Sequence, residues 1–150
     1  MVHALTFNPE DGNIHIDGCN FVVRNGLTEA DVKLQLHEFL RSESNHQNGY
    51  AWQMCRGFNL EGESAGLALC FHLDRLVAVH VGVTLPGIRL EGGWPTKAAI
   101  DQEVAFLRTS LGSQLARSFQ GSQEEFSWGT AWVLFDAKGF LASAGIRYKN

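Results

Sequence analysis

Cys70 and His72 stand two apart in a stretch that reads as a strand, so both side chains would share one face, as a pair of metal ligands must. His80 lies in the next strand. A two-residue turn at Asp74-Arg75 pairs Leu73 with Leu76 and sets His80 beside Leu69, on the opposite face. Two ligands do not close a metal site, so no metal is expected. Cys19, Cys55 and Cys70 are odd in number and widely spaced, with no C-x-x-C pair and no His-x-x-x-His. That pattern supports neither a redox pair nor a zinc finger, and predicts three free thiols. A nucleophilic thiol needs a neighbouring cation; Cys55 adjoins Arg56, but adjacent strand residues point to opposite faces.

The carboxylates gather where turns are expected: Glu61 with Glu63, Glu124 with Glu125, Asp11 with Asp17. Such groups read as solvated turn charges rather than as an acid–base pair in a cleft. The chain contains no G-x-S-x-G elbow, no H-E-x-x-H helix and no phosphate-binding glycine loop. No catalytic residue and no cofactor are therefore expected. Trp128 and Trp132 sit on one strand in a segment with two of the four tryptophans. They serve either as a partner-binding platform or as core beneath a helix, and Gly129 between them marks a bulge or a close backbone approach.

These residues must be held by a chain of 150 residues, 45% hydrophobic and 19% charged, which suits one domain spanning 1–150. Twelve Lys and Arg against sixteen Asp and Glu leave a net charge of −4 with no basic cluster. A nucleic-acid partner would want a basic stripe, so none is expected. No apolar run approaches the ~20 residues of a membrane span, and the first residues carry no secretory pattern, which places the chain in the cytoplasm.

Alternation predicts short strands at 4–7, 13–16 and 19–23. Thr28 then caps a helix over 28–41, with Asp31 at the capping-box position and a stripe of Val32, Leu36, Phe39 and Leu40. Residues 42–49 read as loop, followed by strands at 50–58, 65–73 and 76–84. A second helix over 95–111 carries Ile100, Val104, Leu107 and Leu111, with Leu115 and Phe119 able to extend it, and a hairpin of 126–135 with 140–148 ends the chain. Strands, helix, three strands, helix, two strands, joined by short turns, describe an α+β fold: a curved antiparallel sheet with two helices packed on it.

If Leu60 pairs with Ala65, Cys55 falls opposite Cys70 and the three central strands sort into two faces. One carries Trp52, Met54, Phe58, Leu67, Leu69, Phe71, Leu73 and Leu76 and suits helix packing. The other carries Gln53, Cys55, Gly57, Ala68, Cys70, His72, Val77, Val79, Val81 and Val83, and is left for the N-terminal strands, the terminal hairpin, a second copy of the chain or a partner.

Gly26-Leu27-Thr28, Leu67-x-Leu69-x-Phe71-x-x-Asp74-x-Leu76, Leu111-Gly112, Trp128-Gly129-Thr130, Asp136-x-Lys138-Gly139 and Ile146-x-Tyr148 follow one another across most of the chain. That order resembles a broad group of small bacterial α+β proteins, some of them immunity partners of contact-dependent growth inhibition and related polymorphic toxins. The resemblance implies an immunity protein that occludes a cognate toxin domain; a self-associating interaction domain, dimeric through its sheet, is the alternative. The expected partner contacts are His72, Val77, Val79 and Val81 on the valine face and the loop carboxylates Glu61, Glu63, Glu124 and Glu125.

Overall fold

Short polar turns between alternating runs make neighbouring strands antiparallel and give each strand one apolar face. The computed structural model describes residues 2–87 and 90–149. Strands β1 (Leu5–Phe7), β2 (Ile14–Ile16) and β3 (Val22–Val23) form a small sheet, followed by helix α1 (Glu29–Gln35). Next come β4 (Leu40–Asn45), β5 (Tyr50–Leu60), β6 (Glu63–His72) and β7 (Arg75–Thr84). A ribbon of β8 (Leu90–Glu91) and β9 (Trp94–Pro95) leads to α2 (Lys97–Gln114), and β10 (Gln123–Phe126), β11 (Gly129–Asp136) and β12 (Leu141–Tyr148) end the chain. The large sheet runs β10-β11-β12-β7-β6-β5-β4, every pair antiparallel. The architecture is α+β, with an open sheet.

The Thr28 cap forms as expected: its side chain accepts from the Asp31 N–H, and the Asp31 carboxylate accepts from the Thr28 N–H. The helix, however, ends at Gln35 rather than Arg41. Leu36 and Phe39 are buried as the stripe requires, but they lie in a turn, where Phe39 and Leu40 both donate to the Leu36 carbonyl. Ser42, Ser44 and Asn45 after Leu40 favour helix weakly, and Leu40–Asn45 pairs instead with β5 as an edge strand. The hairpin joining them closes at Asn48-Gly49, with Gly49 at φ 88°. Helix α2 begins two residues later than expected, capped by Thr96, and its last turn reaches Gln114.

Both hairpins of the β5-β6-β7 meander differ from expectation, the first by being tighter and the second by its position. Leu60 pairs with Glu63, so Glu61 (φ 50°) and Gly62 (φ 90°) form a two-residue turn with both φ positive, the type whose twist suits a hairpin. His72 pairs with Arg75 across Leu73-Asp74, so the turn lies one residue earlier than Asp74-Arg75. Bulges at Gly57 and Val77 then shift each register again. Cys55 consequently lies opposite Leu67, not Cys70, and His80 opposite Ala68, not Leu69. A one-residue change exchanges the faces of a strand.

The covered face is therefore Gln53, Cys55, Phe58, Leu60, Leu67, Leu69, Phe71, Leu76, Val79 and Val81, continued by Val133 and Ile146. Leu107, Leu111 and Leu115 of α2, Val32 and Leu36 around α1, and Leu5, Phe7, Ile14 and Ile16 of the small sheet join it in one core. Burying each large side chain contributes roughly 1.5–3 kcal/mol. Gln53 is the polar member: it is 1% exposed, and its amide donates to the Glu29 carbonyl, tying α1 to β5.

Candidate functional site

Among the described residues, no helix covers the other face of the large sheet. Its floor is small: Gly66, Ala68 and Cys70 on β6, Ala78 and Gly82 on β7, and Gly145 on β12. Two outer strands raise walls beside it, Tyr50, Trp52, Met54 and Arg56 on β5 and Trp132 on β11. His80 stands in the middle, with the Trp52 ring 5.0 Å away at 78° and the Trp132 ring 4.8 Å away at 75°, both edge-on. Trp132 reaches His80 because its cross-strand neighbour is Gly145; a Cβ there would meet the Trp132 ring at 2.9 Å and collide with the Val79 carbonyl. The Trp132 indole N–H donates to Ser143 Oγ at 2.9 Å, which fixes the ring. Tyr50 and Met54 remain 39% and 38% exposed.

His80 splits this trough into two hollows. One, of about 650 Å³, is bounded by Tyr50, Trp52, Cys70, His72, Val77 and Arg147. The other, of about 410 Å³, is bounded by Arg41, Met54, Arg56, Gly82 and Ser143. Neither is lined by an Asp or Glu, although the chain as a whole is acidic. Burial, reinforced by the Arg147 charge, lowers the His80 pKa, so the imidazole is neutral at physiological pH. Burial likewise raises the Cys70 thiol despite Arg147, and pushes Cys55 up to about 11. Neither is a ready nucleophile. Cys70, His72 and His80 do share this face, correcting the sequence reading of His80. Among the described residues no three His, Cys, Asp or Glu converge on a metal-sized site.

No protein-family model and no curated protein matches the chain. A solved structure does. One chain of the complex described as "Rhs1-CT in complex with cognate immunity protein RhsI1" is similar over 97% of this chain and 87% of its own length, with a TM-score of 0.53 and 10% identity. At that identity the likeness is one of fold.

Of the residues singled out from sequence, His72 and Val77 border the larger hollow. Val79 and Val81 are corrected: at 0% and 4% exposure they belong to the core, because the even register turns the valine row inward. Val77 escapes inward burial by being the bulge residue. Glu61 lies in the β5–β6 turn, where it accepts from Gln114, and Glu63 opens β6 beside Leu60. On β10, Glu124 accepts from the Gln120 N–H, while Glu125 accepts from the Thr130 hydroxyl at the rim of the open face. Trp128 and Trp132 part company. Trp128 donates to the Pro9 carbonyl and packs on Phe126, whereas Trp132 lies on the open face. Gly129 marks a close approach to the Arg147 carbonyl, as its position suggested. Sequence reasoning put Trp52 and Met54 together but on the helix-covered face, and so missed them, with Arg56, His80 and Arg147, as residues of the open one; glycine at 57 was the available sign of a register change.

Proposed function

We propose that the chain is an immunity-type protein, which binds a cognate bacterial toxin domain in the cytoplasm and neutralises it by occlusion, with no catalysis of its own. The observation that carries this reading is the fold, similar over 97% of the chain to a chain of a complex between Rhs1-CT and its cognate immunity protein. The uncovered face supports it. A stable protein contact buries about 800 Å² on each partner, and a seven-stranded face is about 29 Å wide. Tyr50, Trp52, Met54 and Trp132 supply the aromatic and thioether side chains that interface centres favour. No helix among the described residues is long and apolar enough to cross a membrane, which agrees with a partner met in solution.

Co-expression with a candidate toxin domain, sought among the genes beside this one, tests the reading. Survival of the host and a stoichiometric complex on gel filtration are expected. Toxicity undiminished and no complex would end it.

A further inference from the structure

We propose that the uncovered sheet face binds an acidic protein segment, whose carboxylates meet Arg56 and Arg147 while a bulky side chain fills the hollow beside Trp52. That the segment belongs to a toxin rests on the reading above; its acidic character rests on the face itself.

Charge carries the inference furthest. The chain holds sixteen carboxylates to twelve Lys and Arg, yet the hollow-lining residues include Arg41, Arg56 and Arg147 and no carboxylate. The nearest carboxylate in the register is Glu125, two strands from Arg147, and the Thr130 hydroxyl between them already donates to it at 3.0 Å. Ion pairs among the described residues are Lys33–Glu43 and Lys97–Asp101, so neither Arg56 nor Arg147 is matched by a carboxylate among them. Arg41 is different, its guanidinium donating to the carbonyls of Glu38 and Leu40. Arginine's planar fork is suited to carboxylates, and an unmatched pair of forks on a recognition face selects for them.

Spacing decides the class of ligand. Arg56 lies in the row of Gly66 and Gly82, Arg147 in the row of Cys70 and Ala78. Their Cα positions are about 13 Å apart along the strands and about 14 Å apart across them. One small anion does not span that diagonal; an extended segment with separated carboxylates does. A second copy of this chain would set arginine against arginine. Single-stranded nucleic acid wants a continuous basic groove along its backbone, and two widely separated arginines in a chain of net charge −4 do not make one.

The test is a titration of the ¹⁵N-labelled protein with poly-L-glutamate, followed at the four indole N–H signals. Those of Trp52 and Trp132 should move while Trp94 and Trp128 stay, and poly-L-lysine should move none. Arg56→Glu and Arg147→Glu should each weaken the response, and together abolish it. Unchanged urea midpoints verify folding, and Arg56→Gln with Arg147→Gln replaces the reversals if they unfold. Overturning results are no movement at Trp52 and Trp132, a response that survives the double variant, or an equal response to oligothymidylate. A concentration-dependent dimer that the double variant abolishes would also overturn it, in favour of self-association. Because polyglutamate replaces the toxin, a protein that gives no protection can still pass, and one that protects can still fail.

Discussion

The two faces of the large sheet are made by the same strands, alternate residues apart, yet they are built for different ends. Beneath the helices, Leu67, Leu69, Phe71 and Val79 are 0–2% exposed and interlock with Leu107, Leu111 and the small sheet. On the other side, small floor residues leave a trough in which the rings of Trp52 and Trp132 each meet His80 at a steep angle. The first face has every reason to resist change, since packing at interior density is felt at the level of one methylene. The second keeps its large side chains half-hydrated, which stabilises the fold little and leaves apolar surface for a partner to bury. The difference teaches that the period of the strand separates the residues that stabilise the fold from those left free for the recognition proposed above.

The largest effect should come from Val79→Glu. A carboxylate buried without a partner is among the few single changes that remove about 4 kcal/mol or more, a large part of a domain's stability. Loss of the folded state by circular dichroism is expected. A folded Val79→Glu protein with altered association would mean that the faces are reversed.

Next in size is a pair of truncations on neighbouring strands. Leu67→Ala should cost about 2–5 kcal/mol, and Met54→Ala, on the open face, less than about 1 kcal/mol. Urea unfolding measures both, and equal costs would erase the distinction. Gly145→Val should cost about 1–3 kcal/mol by overpacking, and should also displace Trp132, read as a changed near-ultraviolet circular dichroism spectrum.

The smallest effect is a pH dependence. His80 titrates below its ordinary 6.5 because it is buried and faces Arg147. As pH falls through that ordinary value, the unfolded chain takes up the proton before the folded chain does, so stability should decline as pH drops below about 6.5. His80→Gln should flatten the decline between about pH 5 and 7. The raised carboxyls of Glu29 and Glu103 act with the opposite sign, and their window opens lower, near the ordinary 4.5. An unchanged slope in His80→Gln would show that this imidazole is not desolvated as described.

Much of the fold was legible. Thr28, Asp31 and the stripe through Val32 and Leu36 located α1, and alternation located β5, β6 and β7. Strand β4 was not, because Arg41 to Asn45 alternates nothing apolar: an edge strand exposed on both faces needs no such pattern, and only Asn48-Gly49 announced the hairpin. The site was lost for a subtler reason. Leu73-Asp74 turns with φ of 50° and 60° and no glycine, and Val77 bulges without a compositional sign. Face assignment depends on the parity of the register: moving the turn back by one residue keeps that parity, and the Val77 bulge alone changes it, which sent Val79 and Val81 to the wrong side and hid His80 from Cys70.

The central claim is that recognition belongs to the uncovered face. Calorimetric titration of a candidate toxin domain, sought among the genes beside this one, into two double variants tests it most directly. Arg56→Glu with Arg147→Glu should lose about 100-fold or more in affinity, as reversing charge at a buried contact does, while Glu61→Arg with Glu63→Arg, on the covered side and its turn, should stay within about 3-fold. Full affinity in the arginine variant with loss in the glutamate variant would contradict the account.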